Sequence, residues 1–336
     1  MSDSRVPLVA IATPVYNGAR FLADTMECVQ AQTYPNLVHC VLDNASIDAT
    51  PEIIARFRGG RVPLITARNA TTLPHIENWN AALELVPREA SYFRVLAADD
   101  LIVPECIEKM VALGEQNPHA GVIGCQEWVN KSLHGTDLPS DRSVFAGRSL
   151  VRGTLLMEID FPYVHCLFRY PSGGIPKNFY DTEHHGVRLL CTDVDAVMRV
   201  LSQSCCAYVH EPLTITRWPG SVQSTESNPN KQDIWSFLQL IDRWGPTVFD
   251  TETEYLKCRA RYLRCYYLHL LHWATQRKFK LVEQHQSWLR AASVRPTILD
   301  YAHAVVEWPF LRITWWLKRM APRAVVGLLT YPYQFD

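Results

Sequence analysis

Within the first 125 residues, short apolar runs of strand length alternate with stretches whose apolar residues recur at helical spacing, and two of those runs close on carboxylates. Residues 8–13, 37–42, 62–66, 92–97 and 122–125 have the length and the β-branched and aromatic content of buried strands. Between the first two, Phe21, Leu22, Met26 and Val29 share a helix face; Pro51 sits in the first turn of a second helix, and residues 73–86 and 104–116 supply two more. Such alternation predicts an α/β fold with a doubly wound, mostly parallel sheet over residues 7–125. Asp43 closes the second run, and Asp99 and Asp100 follow the fourth. In an open α/β sheet, those positions face the crevice beyond the carboxyl ends of the strands, where ligands bind. Carboxylates gathered there suit a hard cation such as Mg2+ or Mn2+ and a phosphorylated ligand whose charge the cation offsets.

The 336 residues, 48% of them hydrophobic, are enough for a large core and far too apolar for a disordered chain. None of the ten cysteines forms a Cys-x-x-Cys spacing, and most lie in apolar segments, so buried thiols in a reducing compartment are expected rather than a disulfide frame or a zinc site. The sequence from Met1 enters the first strand without a signal-peptide pattern, and no stretch reaches the ~18 apolar residues of a spanning helix.

A net charge of −1 conceals an asymmetry: residues 257–336 carry 13 Lys and Arg against 4 Asp and Glu, and 1–256 carry 20 against 30. The basic segment also holds Trp273, Trp288, Trp308, Trp315 and Trp316. Basic helices with interleaved aromatics favour an anionic lipid surface. Packing of the same tryptophans onto the rest of the chain is the alternative. No nucleic-acid motif accompanies the charge, so a nucleic-acid partner is not expected.

Between about 126 and 178 the periodicity weakens into loops and antiparallel pieces, as in many acceptor-binding surfaces. A helix is expected at 193–201 and a strand at 206–209, and everything beyond 233 reads as helical, in segments 234–244, 254–277, 281–292 and 298–320. The expected division is therefore a catalytic domain over 1–231, with a nucleotide half at 7–125 and an acceptor half at 126–231, followed by a helical region at 232–336.

Three motifs stand in order. Pro14-Val15-Tyr16-Asn17 resembles the opening Pro-x-Tyr-Asn of the family 2 glycosyltransferases with the GT-A fold; Asp43-Asn44-Ala45-Ser46-Ile47-Asp48 resembles their second motif, and Ala97-Ala98-Asp99-Asp100 their Asp-x-Asp-Asp. The likeness covers roughly residues 7–225. It implies an inverting transfer of a sugar from a nucleotide-diphosphosugar, a UDP-sugar favoured, to a hydroxyl of a saccharide or lipid-linked acceptor. By the same resemblance Asp43 meets the base, with Thr13, Pro14, Tyr16, Asn17, Asn44 and Ser46 around it. Asp99 holds the metal and diphosphate, beside Ala98 and Asp100, and Asp193 is the base that deprotonates the acceptor.

Each role has chemistry behind it. An ionised strand-end carboxylate accepts the N–H of a base, and a carboxylate within reach of a sugar hydroxyl removes its proton as the new bond forms. Asp193 also stands where a helix N-cap would, so a structural role is the competing reading. The chain departs from the family at Ala97, which replaces an acid, at Thr192, which replaces the usual Glu before the base, and at Trp218, where many relatives carry histidine. With Trp218 there, Arg217 is the available cation for the diphosphate. A nucleotidyltransferase would need a glycine-rich phosphate loop after the first strand, and Pro14-Val15-Tyr16-Asn17-Gly18 is not one. A catalytically silent, membrane-associated relative is the other alternative. A cytoplasmic body, peripheral on a membrane and acting in surface polysaccharide or glycolipid assembly, is the expected setting.

Overall fold

The computed structural model describes residues 6–181, 183–184, 187–217, 228, 230–307 and 309. The chain divides into two compact units: Met1–Gly147, Pro162–Thr182 and Thr192–Trp218 form one, and Arg148–Phe161, Glu183–Cys191 and Pro219–Asp336 the other.

The first unit carries a ten-stranded sheet. Its opening half is β1 (Val9–Val15), α1 (Leu22–Gln30), β2 (Leu37–Asp43), α2 (Thr50–Arg56), β3 (Leu64–Arg68), α3 (His75–Leu83) and β4 (Tyr92–Val95). Next come β5 (Leu101–Ile102), α4 (Cys106–Gln116), β6 (Ala120–Val129), β7 (Ser132–His134) and β8 (Val144–Ala146). Across the sheet the order is β3-β2-β1-β4-β9-β6-β12-β5, where β9 is Leu167–Arg169 and β12 is Cys205–Thr216. Every residue of β1 and β2 is buried, so their unbroken apolar runs are what a strand covered on both faces requires. β1 pairs in parallel with β2 on one side and β4 on the other, which makes the β1–β4 boundary the point where the winding reverses.

The expected α/β architecture, a doubly wound sheet followed by a helical C-terminal region, is the one found. Its finer course differs at the acceptor side. β9 runs antiparallel between β4 and β6, and β5 antiparallel against β12. Both are too short, at three and two residues, for periodicity to reveal. β12 extends to Thr216, twelve residues in place of four, because register shifts near Cys205, Val209 and Pro212 let it keep pairing with β6 past a proline.

The second unit contains α5 (Gly147–Leu155) for all but its first residue, and the short hairpin of β10 (Glu183–His184) with β11 (Val187–Arg188); α6 (Thr192–Leu201) returns to the first. Three longer helices follow: α7 (Gln232–Val248), α8 (Glu252–Thr275) and α9 (Phe279–Ala291), with residues 298–307 also helical. Thr251 caps α8 through the Glu254 amide, and Arg259 ties it to α7 by two bonds to Asp242, at 2.6 and 3.1 Å. His285 is fully buried among aromatics; its Nε2 donates to the Asn230 carbonyl and its Nδ1 accepts from the Tyr266 hydroxyl, each at 2.6 Å. Trp273 and Trp288 each lie 4.7 Å from its ring, so these two tryptophans of the basic segment are packing residues. Trp308, Trp315 and Trp316 lie outside the described residues, as does Trp218. Among the described residues, no disulfide joins any of the cysteines. Among the described residues, no helix is long and apolar enough to cross a membrane.

Candidate active site

Parallel pairing puts Val15, Asp43 and Arg68 in one row across β1, β2 and β3 at their carboxyl ends. Asp43 is nearly inaccessible, and both of its oxygens are engaged: Oδ2 takes a 2.6 Å bond from Arg68 Nη1, and Oδ1 accepts the Ser46 amide at 2.9 Å. Arg68 Nη2 also reaches the Ser46 carbonyl at 2.7 Å. Ala45 makes this turn possible by taking φ 59°, a left-handed conformation that costs a β-carbon-bearing residue about 1–2 kcal/mol. Asn17, at φ 48°, suits such a conformation better, and its Oδ1 accepts the Ile47 amide while its own amide reaches Ser46 Oγ. Asp48 accepts the Ala19 amide and both the amide and the hydroxyl of Thr50. Burial alone would raise its carboxyl, but the Thr50 hydroxyl and these amides outweigh it and hold Asp48 below the usual carboxylate range.

Asn44 points the other way, accepting from the Leu73 amide and from Asn69 Nδ2 at 2.8 Å and donating to the Leu73 carbonyl, which fastens the approach to α3. Thr13 is fully buried with its hydroxyl 2.9 Å from His39 Nε2, and Pro14 is buried next to it, whereas Tyr16 is 42% exposed. Gly18 is required where it stands, because a β-carbon there would lie 2.4 Å from the Val15 side chain.

The loop after β4 is the second half of the site. The Thr25 hydroxyl bridges the carbonyls of Ala98 and Asp100 at 2.9 and 3.0 Å. Asp99 is half-buried, and burial raises its carboxyl above the ordinary range. Asp100 is buried; desolvation, and then the neighbouring Asp99 charge, push it up to about 8. Behind it, His165 Nε2 lies 2.6 Å from Thr216 Oγ1, 3.2 Å from Glu127 and 3.6 Å from Asp100. His165 Nδ1 approaches the guanidinium of fully buried Arg94 at 3.5 Å, and burial, with that cation, drives the His165 imidazole down to about 3.

Arg217 closes the loop from β12. Its amide donates to Asp100 Oδ1 at 2.9 Å, and its guanidinium bonds the Asp99 carbonyl, Asp24 at 2.6 Å and the Phe21 carbonyl at 3.2 Å, with its carbon 4.9 Å from the Phe21 ring centre. The guanidinium expected to face a diphosphate thus clamps the acidic loop to α1.

Asp193 occupies the first turn of α6, half-buried, with its carboxyl raised by desolvation. The adjacent Asp195 is fully buried. Tyr180, which feels the Asp193 charge, is anchored by two backbone bonds with Asn80 of α3, at 2.8 and 2.9 Å, so α3 reaches toward both Asp43 and Asp193. Sequence reasoning omitted Arg68, Arg94, Glu127, His165 and Asn80. Only Arg68 carried a usable signal, a cation ending the strand run that follows the one closed by Asp43.

The donor set near Asp99 is oxygen-rich. Among the described residues, however, no three His, Cys, Asp or Glu side chains are grouped to hold a metal ion. Mg2+ typically binds through one or two carboxylates plus substrate phosphates and water, and the Asp99 carboxylate is a donor of that type.

The family model for "Glycosyl transferase family 2" matches residues 10–172, the stretch that holds both halves of this edge. Residues 10–172 of this chain belong to glycosyl transferase family 2. An uncharacterized glycosyltransferase of Haemophilus influenzae is 29% identical over 224 residues, 54% of this chain and 68% of the relative. Other curated relatives match over 31% to 38% of this chain and 13% to 42% of their own length. Among solved structures, TarS 1–349 of S. aureus in complex with UDP-GlcNAc aligns with a TM-score of 0.57 at 14% identity, over 84% of this chain and 79% of that one. Mannosyltransferase PcManGT from Pyrobaculum calidifontis, in complex with GDP-Man and Mn2+, aligns at 0.53 and 15% identity, over 98% and 86%. At such identities the likeness establishes the GT-A fold. The glycosyltransferase assignment rests on the family match and the curated relatives.

Proposed function

We propose that the protein is an inverting glycosyltransferase that moves a sugar from a nucleotide-diphosphosugar, a UDP-sugar in the first instance, to a hydroxyl of a saccharide or lipid-linked acceptor. The observation that carries this reading is the meeting of Asp43 and the Asp99–Asp100 loop at one edge of the sheet, on the two flanks of the β1–β4 switch point. Asp43 is held rigidly, and each carboxylate oxygen has two lone pairs, so it can accept a base N–H without surrendering Arg68 or Ser46. Asp99 faces the diphosphate. A divalent cation, when bound there, offsets charge on the departing nucleoside diphosphate.

Asp193 takes the proton from the acceptor hydroxyl as the hydroxyl oxygen bonds to the anomeric carbon and the bond from that carbon to the diphosphate breaks. One displacement inverts the centre. Burial suits Asp193 to this task, since a carboxyl raised toward neutrality is a better base than an ordinary one. The complexes of TarS with UDP-GlcNAc and of PcManGT with GDP-Man and Mn2+ support a nucleotide-sugar donor and divalent-metal use here. The basic, aromatic-rich character of residues 257–336 supports a cytoplasmic protein peripheral on a membrane, with its acceptor presented there for polysaccharide or glycolipid assembly. Thermal shift with a panel of nucleotide sugars and Mn2+, followed by donor-consumption assays, tests the proposal. One class of UDP- or GDP-sugar should raise the melting temperature and be turned over. If no nucleotide sugar in the panel binds, the reading fails.

A further inference from the structure

The joint between α8 and α9 presents an apolar ring to solvent inside a cluster of positive charge. Phe279 is 64% exposed, and Arg277, Lys278 and Lys280 around it are all exposed. With Leu281, Gln284 and Asn230 these residues line an open cleft of about 700 Å³.

The joint is rigidly built. The Lys278 amide bonds the Trp273 carbonyl at 2.9 Å and the Arg277 amide bonds Ala274 at 3.0 Å, the paired pattern of a Schellman ending to α8. Arg277 occupies the left-handed position of that motif at φ 60°, which glycine or asparagine usually fills. Trp273, at the base of the turn, is buried against His285, so the turn stands on the packed part of the helical unit. A side chain as large as phenylalanine gains nothing from solvent, and its neighbours at −2, −1 and +1 are all cations. No acid occurs from residue 255 to 282, and the whole segment 257–336 has nine more basic than acidic groups, so the local field attracts anions. An exposed aromatic, flanking cations and an open cleft beside them complement one partner: the surface of a bilayer rich in acidic phospholipid.

We infer that the α8–α9 turn is a membrane-docking site, with Phe279 entering the interface and Arg277, Lys278 and Lys280 gathered around lipid phosphates. This rests on the membrane-borne acceptor proposed above only for its purpose, because docking needs neither donor nor transfer. Co-sedimentation with vesicles of equal parts phosphatidylglycerol and phosphatidylcholine, against pure phosphatidylcholine, tests it using the full chain. The wild type should pellet with the anionic vesicles and be released by salt. The triple exchange Arg277→Gln, Lys278→Gln and Lys280→Gln should lower the partition coefficient by roughly 10²-fold, and Phe279→Ser by roughly tenfold or more, with unchanged circular dichroism and nucleotide-sugar binding. Replacing the two lysines by arginine should preserve binding. If the triple and Phe279 variants pellet like wild type, the turn is not the docking site. If the wild type itself ignores anionic vesicles, docking at this turn is overturned while nucleotide-sugar binding stands on its own.

Discussion

The two halves of the sheet edge handle negative charge in opposite ways. At the ends of β1–β3 every carboxylate is already answered: Asp43 by Arg68 and the Ser46 amide, Asp48 by Thr50 and Ala19, so that Asp48 lies below its ordinary range. Past β4, Asp99 and Asp100 are both held above it, and the guanidinium of Arg217 is turned to carbonyls and to Asp24. The first half is finished before a ligand arrives and suits recognition of a neutral base by shape and hydrogen bonds. In the second half burial opposes ionisation of both carboxyls, and a cation bound there with a diphosphate would favour their charged forms. Division of labour along one edge, one side preorganised and the other waiting for its partner, is the physical content of the proposed reaction.

The largest expected effect tests the reacting side. Asp193→Asn keeps size while abolishing basicity, and should slow transfer by roughly 10² to 10⁴ with donor affinity unchanged. Equal losses of donor affinity and folding, with turnover per bound donor intact, would return Asp193 to a structural role. Asp99→Asn comes next. It should remove much of the metal response and several kcal/mol of transition-state stabilisation, while a donor-free nucleoside, which lacks the diphosphate, binds as before. Full activity and full Mn2+ response in this variant would move the charge-poised side elsewhere.

The contrast also marks what was legible in the sequence. Strand ends with carboxylates, and the order of three motifs, are written in local runs of residues, so the sheet half and the positions of Asp43 and Asp99 follow from spacing, whereas Asp193 enters only through the resemblance to the family. The rest depends on pairings far apart in the chain. His165 meets Asp100, Glu127 and Thr216 only because β9 threads antiparallel between β4 and β6, and a three-residue strand has no period to read. Arg217 could be recognised as a cation, but its turn toward Asp24 and Phe21 depends on where β12 ends relative to α1. Trp273 and Trp288, alike in sequence to aromatics of a membrane-facing helix, pack around His285 because that histidine is brought inside by α9.

A smaller effect probes the recognition side through acid. His39, beneath that side and bonded to Thr13, is fully buried, and desolvation lowers its imidazole to about 3. An unfolded histidine titrates near 6.5, so below that pH the unfolded chain binds a proton that the folded one refuses. The stabilisation is complete above about 6.5 and is lost as pH falls from there toward about 3, at up to about 1.4 kcal/mol per pH unit. Buried His285, lowered to about 4, adds the same sign in the helical unit. Urea unfolding between pH 7 and pH 5 should therefore show falling stability in the wild type and a shallower slope in His39→Gln. An unchanged slope would mean that His39 is not held neutral.

The mildest test concerns the ion pair that finishes the recognition side. Arg68 is 49% exposed and Asp43 4%, so water screens the cation but hardly reaches the carboxylate. Arg68→Ala removes its bonds to Asp43 Oδ2 and to the Ser46 carbonyl, leaving a buried acceptor with one partner, the Ser46 amide. Loss of one partner from a buried acceptor costs about 1–3 kcal/mol, and the exposure of Arg68 places this case near the lower limit. A free Asp43 carboxylate can also rotate away from the base, so nucleotide affinity should fall severalfold while turnover at saturating donor stays near wild type. Calorimetric titration with the nucleoside diphosphate beside steady-state rates separates the two quantities. A variant that lost turnover at saturation but bound the nucleotide normally would erase the distinction between a recognising and a reacting side.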